Sequence, residues 1–234
     1  MGLFDMFRGS KKNVEVTRSA LDEANDPDGT SDSISTLIQQ LTSVGIDGLG
    51  PFDSATKIAS EALARADGDV EVAVRRVRAQ HQRLAGTGGF VTNLGGFVTL
   101  LVAVPANVFQ FYVLATRMTA AIAHLRGYDV AYQRIRTAVL LTLVGSNSAD
   151  ILGKAGIAVG GGTAVQLASR SLPRAAIMVV QKAVGFRILR SAGARVFARA
   201  GRLIPVLGGA FGAGLDLAMM TRIADQAHQE FPPR

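Results

Sequence analysis

Ile34, Leu37, Ile38 and Leu41 recur at the spacing of one helical face, behind Asp32 or Ser33 as a cap and ahead of the turn-forming GIDGLGPF. A second helix follows Asp53 or Ser54, with Ile58, Ala62 and Leu63 on one side, and stops at ADGD. A third starts from Asp69 and sets Val70, Val74 and Val77 against Arg75, Arg76, Arg78 and Arg83. These three predict a small amphipathic helical subdomain over residues 31–84. Residues 9–33 are polar and rich in turn formers, and residues 1–30 are expected to form a flexible N-terminal segment.

From Leu84 the pattern changes. Thirty-three consecutive uncharged residues run to Thr116. Within them, Gly88-Gly89-Phe90-Val91-Thr92 returns as Gly95-Gly96-Phe97-Val98-Thr99. Seven residues are almost two helical turns, so the glycine pair and the phenylalanine return to nearly the same faces. Gly89 and Gly96 would admit a close backbone, with Phe90 and Phe97 alongside. The run exceeds the ~20 residues of a membrane span, yet five glycines, two asparagines, a glutamine and Pro105 interrupt it. A transmembrane helix, a soluble core and a lipid-facing surface all remain open for it. Pro105 is best placed as a helix start, which divides the run at AVPAN.

Further on, YQRIRTAVLLTLVG predicts a short helix apolar on most sides, hence buried. Pro173 opens another helix, expected to break near Gly193. In its second half Arg195, Arg199 and Arg202 share one face. Gly208, Gly212 and Asp216 fall at i, i+4 and i+8 of a last helix, so a carboxylate ends a small-residue face. A charge there must be paired, solvated or functional. Arg117 and Arg136, which border apolar helices, are the expected partners, with Arg117 first.

Composition supports an all-α fold, since Val and Ile stand in runs of helical rather than alternating spacing. The absence of Cys excludes disulfides and thiolate metal sites, and fits a reducing cytoplasm. No secretory signal is visible at the start, and Met6 stands where a myristoylation pattern needs Ser or Thr. The net charge of +7 is segregated. Residues 1–85 carry 10 bases and 13 acids, whereas residues 86–234 carry 15 bases and 5 acids. Between Asp150 and Asp216 there are nine bases and no acid. One-sided charge beside apolar sequence points to an anionic lipid surface or an acidic partner. Nucleic acid is disfavoured, because the aromatics lie in apolar runs rather than among the bases.

No motif in the sequence is complete for reactive chemistry. His81, His124 and His228 form no HExxH pair or ligand cluster. AVGGGTAVQ lacks the Lys-Ser/Thr ending of a phosphate loop, and GSNSAD lacks the frame of a nucleophile elbow. The sequence therefore nominates no catalytic residue, no metal ligand and no cofactor.

PANVFQFYVLATRMTAAIAHLRGYD, Pro105 to Asp129, and LIPVLGGAFGAGLDLAMMTRIADQAHQEF, Leu203 to Phe231, together resemble the EcsC protein family. The GGF…LGGF entry and RTAVLLTLVG fit the same resemblance, which covers about residues 85–231. It implies membrane association and an all-helical hydrophobic fold, and supplies no catalytic residue.

The expectation is an all-α protein: a glycine-rich hydrophobic helical domain over 85–234, with the small amphipathic subdomain before it. Its expected function is non-enzymatic, binding lipid or another apolar ligand on the cytoplasmic side of a membrane. Asp216, Arg117, Arg136, Phe90 and Phe97 are the candidate ligand-binding residues. Arg187, Arg190, Arg195, Arg199 and Arg202 are the candidate membrane-surface residues. The alternative is an integral-membrane accessory subunit of a transporter, within a membrane protein complex.

Overall fold

The hydrophobic spacing of residues 34–41 becomes a buried face: Ile34, Leu37, Ile38 and Leu41 are all at most 5% exposed. The structure, a computed structural model, describes residues 32–49, 52–87, 106–144, 165–166, 174–200 and 205–234. Side chains of 32–33, 87, 106, 174–176, 189, 192–200 and 205–213 lie outside that description. Seven α-helices occur among the described residues, and no strand. They are α1 Asp32–Thr42, α2 Ala55–Ala64, α3 Val70–Thr87, α4 Ala106–Leu125, α5 Gln133–Val144, α6 Arg174–Ala200 and α7 Pro205–Glu230. A π-helical turn, Ser43–Asp47, extends α1. The all-α expectation holds.

Local chemistry sets the boundaries. The Ser54 hydroxyl accepts from the Lys57 backbone N–H at 3.2 Å and caps α2. The Asp69 carboxylate accepts from the Val72 N–H at 2.9 Å and starts α3. Gly127, at φ +84, ends α4 in a left-handed residue, and the Tyr128 N–H returns to the Ala123 carbonyl at 3.0 Å. The GYD motif is therefore a helix stop. Its Asp129 carboxylate accepts from the Ala131 N–H at 2.9 Å and shapes the turn toward α5.

α4 is the axis of the molecule. Every residue from Val108 to Ala123 is buried, and the helix meets α1, the π-turn, α2, α3, α5, α6 and α7. A helix apolar on all sides has no face to give to water, so the amphipathic helices surround it. The apolar faces of α1–α3 join those of α4–α7 in a single hydrophobic cluster. Tyr112 on α4 also meets Ser191 on α6, oxygen to oxygen, at 3.0 Å.

Two glycines permit close approach. A methyl group on Gly45 would lie 2.9 Å from Thr116 Cβ and 3.3 Å from the Val113 carbonyl oxygen on α4. One on Gly185 of α6 would lie 2.7 Å from Ile34 Cγ2 on α1. Packing through glycine thus occurs, at positions other than those expected. Gly89 and Gly96 lie outside the described residues, as do the surroundings of Gly208 and Gly212.

The uncharged run is partly accounted for. Leu84–Thr87 closes α3 and Ala106–Thr116 begins the buried axis, which leaves 88–105 outside the described residues. No described helix is long and apolar enough to cross a membrane. The expected break near Gly193 is corrected: α6 runs unbroken from Arg174 to Ala200. One helix-interior glycine costs only about 1 kcal/mol relative to Ala, which good helix formers on either side outweigh.

Candidate functional site

Charged and polar groups inside an apolar bundle need partners, and two buried arginines stand near the middle of α4 and just past its end. Arg117 is 3% exposed. It directs Nη2 toward the Val44 carbonyl in the π-turn at 3.5 Å, and its guanidinium carbon lies 5.1 Å from the centre of the Phe52 ring. Burial lowers its pKa to about 10, opposed by Asp53. The side chain therefore stays cationic at neutral pH.

His81 of α3 faces the same interior and is fully buried. Its Nδ1 is 2.8 Å from the Val77 carbonyl. A carbonyl only accepts, so Nδ1 carries the proton and Nε2 is left as an acceptor. Nε2 has no hydrogen-bond partner among the described residues. Burial lowers the imidazole pKa to about 4, the Val77 carbonyl opposes the shift, and the Arg117 charge adds to it. His81 is thus neutral. It is shaped as an acceptor beside a cation.

The sequence-predicted residues are distributed as follows. Arg136 forms two hydrogen bonds with the Asp47 carboxylate, one of them 2.9 Å from Nη1 to Oδ2, and its Nε donates to the Val130 carbonyl at 3.0 Å. Bonding to Asp47 raises its pKa despite partial burial. Val44, Phe52 and Asp53 in the 44–53 connection stand against Arg117, and Asp47 and Val130 against Arg136. Asp216 sits half-buried on α7. Phe90, Phe97 and Arg202 lie outside the described residues, as do the side chains of Arg195 and Arg199 on α6. Arg187 is half-buried and donates to the Val144 carbonyl at 2.6 Å, capping the end of α5, while Arg190 is exposed.

Sequence reasoning missed two residues. His81 was legible only as an isolated histidine. Arg126, next to the helix-ending glycine, binds the end of the chain: Nη1 donates to the carbonyls of His228 and Phe231, each at 2.9 Å. Nη2 donates to Glu71 Oε1 and to His228 Nδ1, each at 2.8 Å. The motif in which Arg126 stands, RGYD, was visible, but the carbonyls it serves are 102 and 105 residues away.

The surface of the C-terminal helices is distinct from this interior. Met178 on α6 is 41% exposed, and Leu215 and Leu217 on α7 are 53% and 43% exposed. No group of three or more metal-ligating side chains gathers among the described residues.

The fold and these sites define an all-helical protein built around one fully buried helix, with arginines turned inward to carbonyls. The chain belongs to the EcsC protein family, whose pattern it matches over residues 27–234. The match takes in α1–α3 as well as the later helices that carry the sequence resemblance. No match was found among curated proteins or among solved structures.

Proposed function

We propose that this protein is a non-enzymatic protein of the membrane surface that binds anionic lipid or another apolar ligand on the cytoplasmic side. The observation that carries the reading is the charge of α6. Its 27 residues include six bases and no acid, and it exposes Met178 and Arg190 with Lys182 half-exposed. A solvated helix face usually mixes both signs, so one-sided charge beside an exposed methionine suits an anionic interface. The exposed Leu215 and Leu217 of α7 supply further apolar surface. Each Lys or Arg near an anionic surface contributes about 1 kcal/mol.

Co-sedimentation of the full chain with vesicles tests this. Binding is expected to phosphatidylcholine vesicles containing phosphatidylserine, to weaken at high salt, and to fall in Lys182→Glu/Arg190→Glu. Salt-insensitive binding to neutral vesicles, or none to either, would overturn it. The rival, an integral-membrane accessory subunit of a transporter, predicts retention in membranes after carbonate extraction, whereas the surface reading predicts release.

A further inference from the structure

α2 and α3 pack side by side, and a recess of about 430 Å³ opens between them. That volume lies within the roughly 300–1,000 Å³ typical of small-molecule sites. Its polar wall is formed by Arg65, which caps the C-terminus of α2, with Arg76, Gln80 and Arg83 of α3. Its apolar lining is Ala62, Ala79 and Leu84. Arg76, Ala79, Gln80 and Arg83 stand at i, i+3, i+4 and i+7, so one face of α3 presents them together.

The charge around the recess is unbalanced. Arg65 is held by Glu61 at 3.0 Å. Arg76 and Arg83 are exposed and form no ion pair among the described residues, whereas Arg78 on the neighbouring face is tied to Asp225. Cations gathered at one concavity repel each other until an anion joins them. The guanidinium fork matches phosphate oxygens in pairs, which a point-like ammonium does not. An amide beside it adds a neutral donor, and the alanine–leucine lining takes an apolar surface.

We propose that this recess binds a phosphate group carried on a short organic body, with Arg76 and Arg83 as principal donors and Gln80 as the neutral one. The phosphate is that of a lipid headgroup or of a soluble phosphorylated small molecule. The site lies on helices other than α6, so it stands or falls apart from the membrane-surface reading.

The test uses the full chain with glycerol 3-phosphate and inorganic phosphate in calorimetric titrations, and with phosphatidylcholine vesicles with and without phosphatidic acid. Arg76→Gln/Arg83→Gln is compared with Arg75→Gln/Arg222→Gln, which removes the same charge from exposed positions outside the recess. Both variants alter surface residues, and unchanged thermal midpoints would verify their folds. The recess variant is expected to lose at least about ten-fold in affinity, the loss of charge-assisted hydrogen bonds, while the control stays within about two-fold. Binding of glycerol 3-phosphate in solution identifies a soluble ligand, and binding confined to phosphatidic acid vesicles identifies a headgroup. Equal losses in the two variants, or no binding of any of these probes by the wild type, would overturn the proposal. Recess-dependent binding of glycerol 3-phosphate without vesicle sedimentation would keep the recess and remove the membrane-surface reading.

Discussion

Arg126, 2% exposed at the end of the central helix, donates to the Glu71 carboxylate at the start of α3 across 2.8 Å. The same guanidinium serves the His228 carbonyl in the last turn of α7 and the Phe231 carbonyl just beyond it. One side chain thus closes the end of the molecule where three helices meet. Around it, the Tyr128 hydroxyl donates to the Pro232 carbonyl at 2.9 Å, and Phe231 stands edge-on to the Tyr128 ring at 5.5 Å.

Replacing Arg126 by Met strands two carbonyls that are otherwise served, and each buried unsatisfied group costs about 1–3 kcal/mol. Arg126→Met is expected to lose about 3 kcal/mol in urea unfolding. Glu71→Gln should lose under about 1 kcal/mol, because Glu71 is 46% exposed and a neutral acceptor remains. Equal losses would assign the clasp to the ion pair instead of the carbonyls.

Glycine substitutions should separate by location. Gly45→Ala and Gly185→Ala force a methyl group against Thr116 and Ile34, and each is expected to destabilise by about 1–3 kcal/mol. A methyl group on Gly86 of α3 or Gly214 of α7 would meet nothing within 4 Å among the described residues. Alanine at either should stabilise by roughly 0.5–1 kcal/mol through helix propensity. Thermal midpoints of the four variants read this directly, and a uniform response would show that contact at Gly45 and Gly185 is not limiting.

His81 makes stability depend on pH. Its folded pKa is lowered to about 4 from 6.5, so between these values the unfolded chain binds the proton and the folded one does not. Its contribution is complete above pH 6.5, is lost as pH falls to about 4, and levels off below. The shift corresponds to about 3 kcal/mol over that window. His81→Leu removes the titrating ring, and should flatten this part of the acid limb in unfolding free energies measured from pH 7 to 4. An unchanged slope would exclude His81 as its source.

The two arginines that grip the 44–53 connection should differ in strength. Arg117 lies over Phe52 in a desolvated interior, where a cation–π contact reaches about 2 kcal/mol. Arg136 meets an Asp47 side chain that is 49% exposed, where coupling is about 0.2–1 kcal/mol and screened by salt. Double-mutant cycles with Arg117→Met and Phe52→Leu, and with Arg136→Met and Asp47→Asn, measure both. A larger coupling at Arg136 would reverse this ranking.

Where a signal was local, the sequence carried it. The apolar face of α1, the Ser54 and Asp69 caps, the stop at GYD and the start of α4 after Pro105 all arise from neighbouring residues. A buried α5 followed from a stretch apolar on most sides. The unbroken α6 did not follow, because the cost of a helix-interior glycine is small enough for context to override.

The candidate sites were less legible because their partners are distant in the chain. By itself, the sequence determined an all-helical protein, segregated charge and a resemblance that the family match extends to residue 27. It marked Asp216 as a charge in need of a partner, and Arg117 and Arg136 as the candidates for that role. Only the tertiary structure decided that both reach back to the 44–53 connection, and that Arg126 closes the chain end. It also decided that Arg65, Arg76 and Arg83 line one recess. Helical periodicity assigns residues to faces, but which faces meet depends on how the described helices share the burial of one apolar axis.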